Sequence, residues 1–144
     1  MDNTLGNRRV IAVVPAYNEQ DNIVSTIEDL HSNAPGVDYV IVNDGSKDDT
    51  LNICQEHGYS VIDLPVNLGL AGAFQTGMRY AYEHGYDYAV QFDADGQHSA
   101  AYIAEMVHVA EEKGANIVIG SRFATQKKPV SARMAGSVLI SAMI

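Results

Sequence analysis

Short apolar runs alternate along this chain with longer segments in which apolar and polar residues recur at helical spacing. Val10–Val14, Tyr39–Val42, Ser60–Leu64, Tyr88–Phe92 and Asn116–Ile119 are brief, rich in Val and Ile and bounded by turn residues, which predicts five strands. Between them Gln20–His31, Asp49–His57, Ala71–His84 and Ala100–Glu112 are each long enough for a helix. The third places Phe74, Met78 and Ala81 on one stripe, as a core-facing helix would. Asp48 or Ser46 before Thr50, and Ser99 before Ala100, are candidate N-caps. Gly58, Gly85 and Gly114 each follow a helical segment, where a left-handed stop is expected. No internal repeat, low-complexity tract or linker interrupts the series.

Strand–helix alternation with near-continuous apolar strands predicts an α/β domain whose mostly parallel sheet is covered on both faces. Ligands of such sheets bind beyond the carboxyl ends of the strands. Here those ends read "PAYNE" (residues 15–19), "NDGS" (43–46), "PVNLG" (65–69), "DADGQH" (93–98) and "GSRF" (120–123). All the polar clusters therefore converge on one edge of the sheet, where segments up to a hundred residues apart would line one crevice.

Composition narrows what that crevice serves. At 144 residues and 47% apolar content the chain suits one globular domain with a substantial core. A single thiol, Cys54, excludes a disulfide framework or a cysteine zinc cluster and reads as a small core residue. The start has no signal-peptide pattern and no apolar run reaches bilayer-spanning length, which reads as cytoplasmic. A net charge of −9 disfavours nucleic acid as a partner. All 18 acidic residues precede residue 113, together with four of the nine basic ones; the remainder, Lys113, Arg122, Lys127, Lys128 and Arg133, stand in an acid-free stretch. Such asymmetry marks either an anion site or an ordinary solvated basic tail.

The crevice lacks the usual phosphate loops. No G-x-G-x-x-G follows the first strand, and no G-x-x-x-x-G-K-[ST] occurs. What it offers instead is Asp93 and Asp95, one residue apart at the end of an apolar run. Side chains two apart on an extended chain point the same way, and hard oxygen donors suit Mg²⁺ or Mn²⁺ shared with phosphate oxygens. Gln97 adds an amide oxygen, and His98 is a weaker candidate ligand; the bland reading is a strand end that caps the next helix. Asp44 is an acceptor for a nucleobase edge or an Asx-turn residue before Gly45. Tyr17 offers an aromatic face and Glu19 an acceptor, while Asn18 and Glu19 equally suit an N-cap. Arg122 and Arg133 are candidate diphosphate clamps, or surface arginines.

Taken together, "VVPAYNEQDNI", "VIVNDGSKDDT", "LPVNLGLAGAFQTGMRYA", "VQFDADGQH" and "IVIGSRF" resemble family 2 glycosyltransferases of the GT-A fold, in order and at that family's spacing. The likeness is to the branch of dolichol-phosphate mannose synthase and bacterial polyprenyl-phosphate enzymes, and runs from about Arg9 to Arg133. It implies a Rossmann-like three-layer α/β/α fold with a mostly parallel sheet, residues 1–144 forming one nucleotide-sugar-binding domain. It implies inverting, metal-dependent transfer of a sugar from a UDP- or GDP-linked donor to a polyprenyl phosphate or saccharide acceptor, in envelope polysaccharide or glycolipid synthesis. By the same resemblance Pro15, Ala16, Tyr17, Glu19 and Asp44 hold the nucleotide, and Asp93 sits near ribose or diphosphate. Asp95 and Gln97 ligate Mg²⁺ or Mn²⁺, Arg122 and Arg133 bind the diphosphate, and Asp95 and Arg122 are the catalytic pair. The cytoplasmic face of the membrane is the implied surface for association.

The chain departs from the family at its close: "GSVLISAMI" looks like the start of a cut-off helix, with the acceptor region beyond it. Donor binding without transfer is therefore the alternative. A haloacid-dehalogenase-type phosphatase also ends a strand in D-x-D, but it wants Thr or Val where Gln97 stands, and the first strand rather than the fourth.

Overall fold

A computed structural model describes residues 5–120 and the backbone of 138–142. The elements run β1 (Val10–Ala16), α1 (Ile23–Asn33), β2 (Val37–Asn43), α2 (Thr50–Glu56), β3 (Val61–Asp63), α3 (Gly69–Glu83) and β4 (Tyr88–Gln91). A 3-10 turn (Ala100–Tyr102) then leads into α4 (Ile103–Lys113), β5 (Ile117–Gly120) and β6 (Val138–Ala142). The sheet order is β3-β2-β1-β4-β6-β5. The first four strands in that order pair in parallel, and β6 is antiparallel to both of its neighbours.

Strand β1 is central and all seven of its residues are buried, as expected of a parallel strand covered on both faces. Its alternating side chains seed two apolar layers. Val10, Ala12 and Val14 join Ile23, Ile27 and Leu30 of α1, Cys54 of α2, and Ile103 and Val107 of α4. Ile11 and Val13 join Ala73, Phe74 and Ala81 of α3 on the other face. Cys54 is a core residue, and burial pushes its thiol pKa up. The three-layer α/β/α arrangement expected from the sequence is present.

One segment differs in kind. Val138–Ala142, read above as the opening of a helix, is the strand β6 inserted between β4 and β5. Val138 and Ile140 are β-branched, and pairing of Ile140–Ala142 with Tyr88–Val90 and of Val138–Ser141 with Ile117–Gly120 satisfies the backbone along two ladders that helix propensity alone cannot outweigh. Strand β5 still runs in the direction of β4, because each is antiparallel to β6, so Gly120 lies at the expected edge. Boundaries shift as well: α1 begins at Ile23, leaving residues 17–22 as a loop, and β4 ends at Gln91, before the D-x-D residues. Ser99 makes no side-chain cap; Asp29 of α1 accepts the Ala100 N–H instead, at 2.9 Å. Gly58, Gly85 and Gly114 take the left-handed conformation expected of helix stops, with φ of +67°, +71° and +59°.

The amino edge of the sheet is closed by side chains. Arg9 stacks its guanidinium 4.3 Å from the Tyr86 ring centroid, and Tyr86 Oη donates to Asp38 Oδ2 at 2.7 Å. Burial, then that bond to an anion, push the Tyr86 phenol pKa up to about 12. Among the described residues no helix is long and apolar enough to cross a membrane.

Helix α3 lies hard against β1. A Cβ on Gly77 would fall 2.1 Å from Val13 Cγ1, and Val13 is fully buried. Gly77→Ala is expected to destabilise the fold by about 1–3 kcal/mol through overpacking, read as a lower thermal midpoint. An unchanged midpoint would mean that α3 and β1 are not in this close contact.

Candidate functional site

The parallel register brings the ends of β1 and β2 level, Ala16 opposite Asn43, and Asp44 N–H donates to Ala16 O at 2.8 Å just beyond. Asp44 is 3% exposed and its Oδ1 accepts the Leu68 N–H at 2.6 Å. Asn67 Nδ2 donates to Asp44 O at 3.0 Å, so this one residue ties the β3–α3 loop to the end of β2. Gly45 makes the approach feasible: its φ is +71°, and a Cβ there would meet Asn67 N at 2.8 Å.

The β1–α1 and β2–α2 loops are zipped together along their length. Asn18, at φ +54°, donates its N–H to Ser46 Oγ at 3.0 Å and accepts the Lys47 N–H on Oδ1 at 2.8 Å. Glu19 N–H donates to Thr50 Oγ1 at 2.8 Å, and Gln20 N–H to Asp48 Oδ2 at 3.2 Å. Asp48 Oδ1 in turn accepts from Thr50 N at 3.0 Å as a turn bond; the N-cap of α2 is Asp49, which makes no side-chain cap, so neither Asp48 nor Ser46 is the cap expected from the sequence. Asn18 thus serves this seam, and Glu19 shares one carboxylate oxygen with Asn22 Nδ2 at 3.0 Å.

At β4 the chain turns instead of staying extended. Gln91 Nε2 donates to Asp93 Oδ1 at 2.9 Å, and Gln97 N–H to Asp95 Oδ1 at 2.9 Å. Asp93 and Asp95 nevertheless reach one cavity of about 210 Å³. Its wall comprises Pro15, Ala16, Tyr17 and Glu19 after β1, Asp44 after β2, Leu70 and Ala73 of α3, and Asp93, Ala94 and Asp95 after β4. Seven residues named from the sequence therefore meet in one place. Gln97 is exposed and does not line this cavity, and His98 lines a second one behind the loop. Arg122 and Arg133 lie outside the described residues. Leu70, Ala73 and Ala94 went unassigned; Leu70 was detectable as the first large apolar residue after the "PVNLG" strand end.

Four carboxylates, from Glu19, Asp44, Asp93 and Asp95, thus share a wall on which no basic side chain stands among the described residues. Like charges gathered at an open edge favour a cation in their midst. Among the described residues no group of three or more His, Cys, Asp or Glu is placed to hold a metal ion by itself. Two neighbouring carboxylates with room for further oxygen donors instead fit Mg²⁺ or Mn²⁺, which complete their shells with water and phosphate.

A model of the family described as glycosyl transferase family 2 matches residues 11–141. The chain belongs to that family. It is 33% identical over 141 residues to the UDP-N-acetylglucosamine–dolichyl-phosphate N-acetylglucosaminyltransferase of Methanococcus voltae, covering 86% of this chain and 56% of that protein. It is 32% identical over 119 residues to the undecaprenyl-phosphate mannosyltransferase of Micrococcus luteus, covering 79% and 48% respectively. The family 2 chain thus spans about half the length of the curated relatives it matches. Among solved structures it resembles glucosyl-3-phosphoglycerate synthase from Mycobacterium tuberculosis in complex with Mn²⁺, UDP and glucosyl-3-phosphoglycerate. That match has a TM-score of 0.58 and 25% identity, over 73% of this chain and 40% of that one. The fold is that of GT-A glycosyltransferases, with a mostly parallel sheet.

The seam makes a prediction. Burial pushes the Asp48 carboxyl up, but hydrogen bonds from Thr50 Oγ1, Thr50 N and Gln20 N outweigh it and hold the pKa below its ordinary 3.8. A depressed carboxyl adds stability that is complete above its unfolded value and vanishes as pH falls through the lower folded one. Asp48→Asn is therefore expected to flatten the acid limb of the stability profile below pH 3.8. Equal acid limbs in mutant and wild type would contradict the seam.

Proposed function

We propose that the cavity binds a nucleoside diphosphate sugar, UDP- or GDP-linked, and that the protein transfers its sugar with inversion to a polyprenyl phosphate or saccharide acceptor. The observation that carries this reading is the convergence of Glu19, Asp44, Asp93 and Asp95 on one cavity at the carboxyl edge of the sheet. A polyanionic donor enters an acidic cleft only with its charge compensated, which is why Mg²⁺ or Mn²⁺ belongs to the proposal. The named activities of the relatives and the Mn²⁺ and UDP of the similar structure support it.

In this reading Pro15, Ala16 and Tyr17 form the wall for the base, and Asp44 and Glu19 accept hydrogen bonds from base or ribose. Asp93 stands near ribose and diphosphate. Asp95 and Gln97 would hold the cation, and Arg122 and Arg133 would clamp the diphosphate. A bound cation supplies neutralisation of the charge that develops on the leaving diphosphate. The acceptor oxygen forms a bond to the anomeric carbon as the bond from that carbon to the diphosphate oxygen breaks, and the nucleoside diphosphate departs. Arg122 would meet that departing charge, and the part of Asp95 would be to hold the cation beside it. A phosphate acceptor is already anionic and needs no general base.

Val66 and Leu68 on the β3–α3 loop and Leu70 in the first turn of α3 are each more than half exposed beside the cavity. They support an apolar, membrane-borne acceptor presented at the cytoplasmic face. A second reading, donor binding without transfer, is favoured by the make-up of the described wall, whose polar side chains (Tyr17, Glu19, Asp44, Asp93 and Asp95) are all taken up by the donor and its cation in this reading. Turnover with a lipid phosphate separates the two.

Calorimetric titration of UDP, GDP and their sugars with and without Mn²⁺ tests the site. Binding is expected to tighten with Mn²⁺, and Asp95→Ala to remove that dependence while Asp44→Ala weakens nucleotide binding with or without metal. Metal-independent binding that Asp95→Ala leaves unchanged would overturn the metal assignment.

A further inference from the structure

The loop bearing Asp93 and Asp95 has two sides. One faces the cavity described above; the other faces a second cavity of about 300 Å³, lined by Thr26 and Asp29 of α1 and by Phe92, His98 and Ser99, among others. The His98 side chain is only 5% exposed there, its ring 6.0 Å from that of Phe92. Its Nδ1 accepts the Asp93 N–H at 3.2 Å. An imidazole nitrogen that accepts a hydrogen bond is unprotonated, so the ring proton resides on Nε2. Nδ1 also lies 3.8 Å from Asp93 Oδ2, while Asp93 Oδ1 is held by Gln91.

We infer that His98 is a positioning residue for the Asp93–Asp95 loop and not a metal ligand. This role rests on the proposed use of that loop to hold a cation and a diphosphate. With its back to the cavity, the ring fixes the Asp93 peptide and so the direction from which the Asp93 carboxylate enters the site. Helix α1 braces the same loop at two further points. Thr26 Oγ1 lies 3.4 Å from Ala94 O, and Asp29 Oδ2 accepts the Ala100 N–H at 2.9 Å. Thr26 gives its shorter bond to Asn22 O at 2.9 Å, so the firm ties behind the loop are the His98 bond to the Asp93 peptide and the Asp29 bond at Ala100, while the two carboxylates line the cavity. Partners that orient metal-binding groups in this way matter nearly as much as the ligands themselves.

Three substitutions separate positioning from packing. His98→Phe keeps the ring volume and removes the acceptor. His98→Asn places an amide oxygen where Nδ1 stands, whereas His98→Gln carries the same group out of reach of the Asp93 N–H. Each variant of the full chain is titrated with UDP and GDP with and without Mn²⁺, and its thermal midpoint is measured. His98→Phe and His98→Gln are expected to weaken the Mn²⁺-dependent binding about tenfold or more, and metal-free binding by less. His98→Asn is expected to restore most of it. Should His98→Phe fail to fold, the Asn and Gln variants carry the comparison. Losses that follow the thermal midpoint, and not the presence of an acceptor, would overturn the positioning role, as would equal metal dependence in all variants. A ¹⁵N spectrum of the wild-type protein with the proton on His98 Nδ1 would also overturn it. A wild-type chain whose nucleotide binding ignores Mn²⁺ would instead overturn the site reading on which the role rests.

Discussion

Parallel pairing of β1 with β2 on one side and β4 on the other is the constraint from which the site follows. All seven residues of β1 are buried, so its backbone can be satisfied only by its neighbours and its register is held by apolar packing on both faces. Slipping by one residue would exchange Val10, Ala12 and Val14 with Ile11 and Val13 between two helical layers of different shape. The same register ends β1 opposite β2, and the Phe92 N–H bonds to Val13 O at 2.9 Å as β4 finishes. Three chain segments far apart in sequence thereby leave the sheet at one point. The carboxylates they carry are gathered there by pairing alone.

Gathering carboxylates costs free energy unless something compensates, and the loops show how this edge tolerates it. Asp44 is nearly inaccessible but accepts from the Leu68 amide, Asp93 from Gln91, Asp95 from the Gln97 amide and Glu19 from Asn22. Each hydrogen bond to an ionised oxygen lowers the cost of keeping it charged. These same bonds stiffen the loops, through Asp44 on the α3 side and the Asn18–Ser46 seam between the first two loops. The cavity is thus organised before any cation or diphosphate arrives, which limits the ordering cost at binding.

Much of this was legible in the residues. The Val- and Ile-rich runs located five of the six described strands, and Pro15, Ala16, Tyr17, Glu19, Asp44, Asp93 and Asp95, which the carboxyl-edge rule grouped, line one cavity. Strand β6 was missed because "VLISA" is a short apolar run that fits helix or strand equally, and the choice is made by the ladder on β4. Alternation puts Asp93 and Asp95 on one side only if the chain stays extended, whereas Gln91 ends the strand and hydrogen bonds within the loop turn it. Ser99 gave way as a cap to Asp29, a partner 71 residues earlier that local pattern cannot reveal. His98 read as a weak ligand because spacing shows proximity to the aspartates but not which side of the loop a ring occupies.

The central claim is that one cavity at the carboxyl edge holds a diphosphate and its cation together. A crystal of the protein grown with Mn²⁺ and UDP or GDP, measured at the manganese absorption edge, tests it most directly. The account predicts an anomalous peak at the Asp93–Asp95 loop, bridging protein carboxylate and diphosphate oxygens, with the base against Tyr17 and Asp44. A nucleotide bound elsewhere, or a diphosphate in this cavity with no manganese peak beside it, would contradict the account.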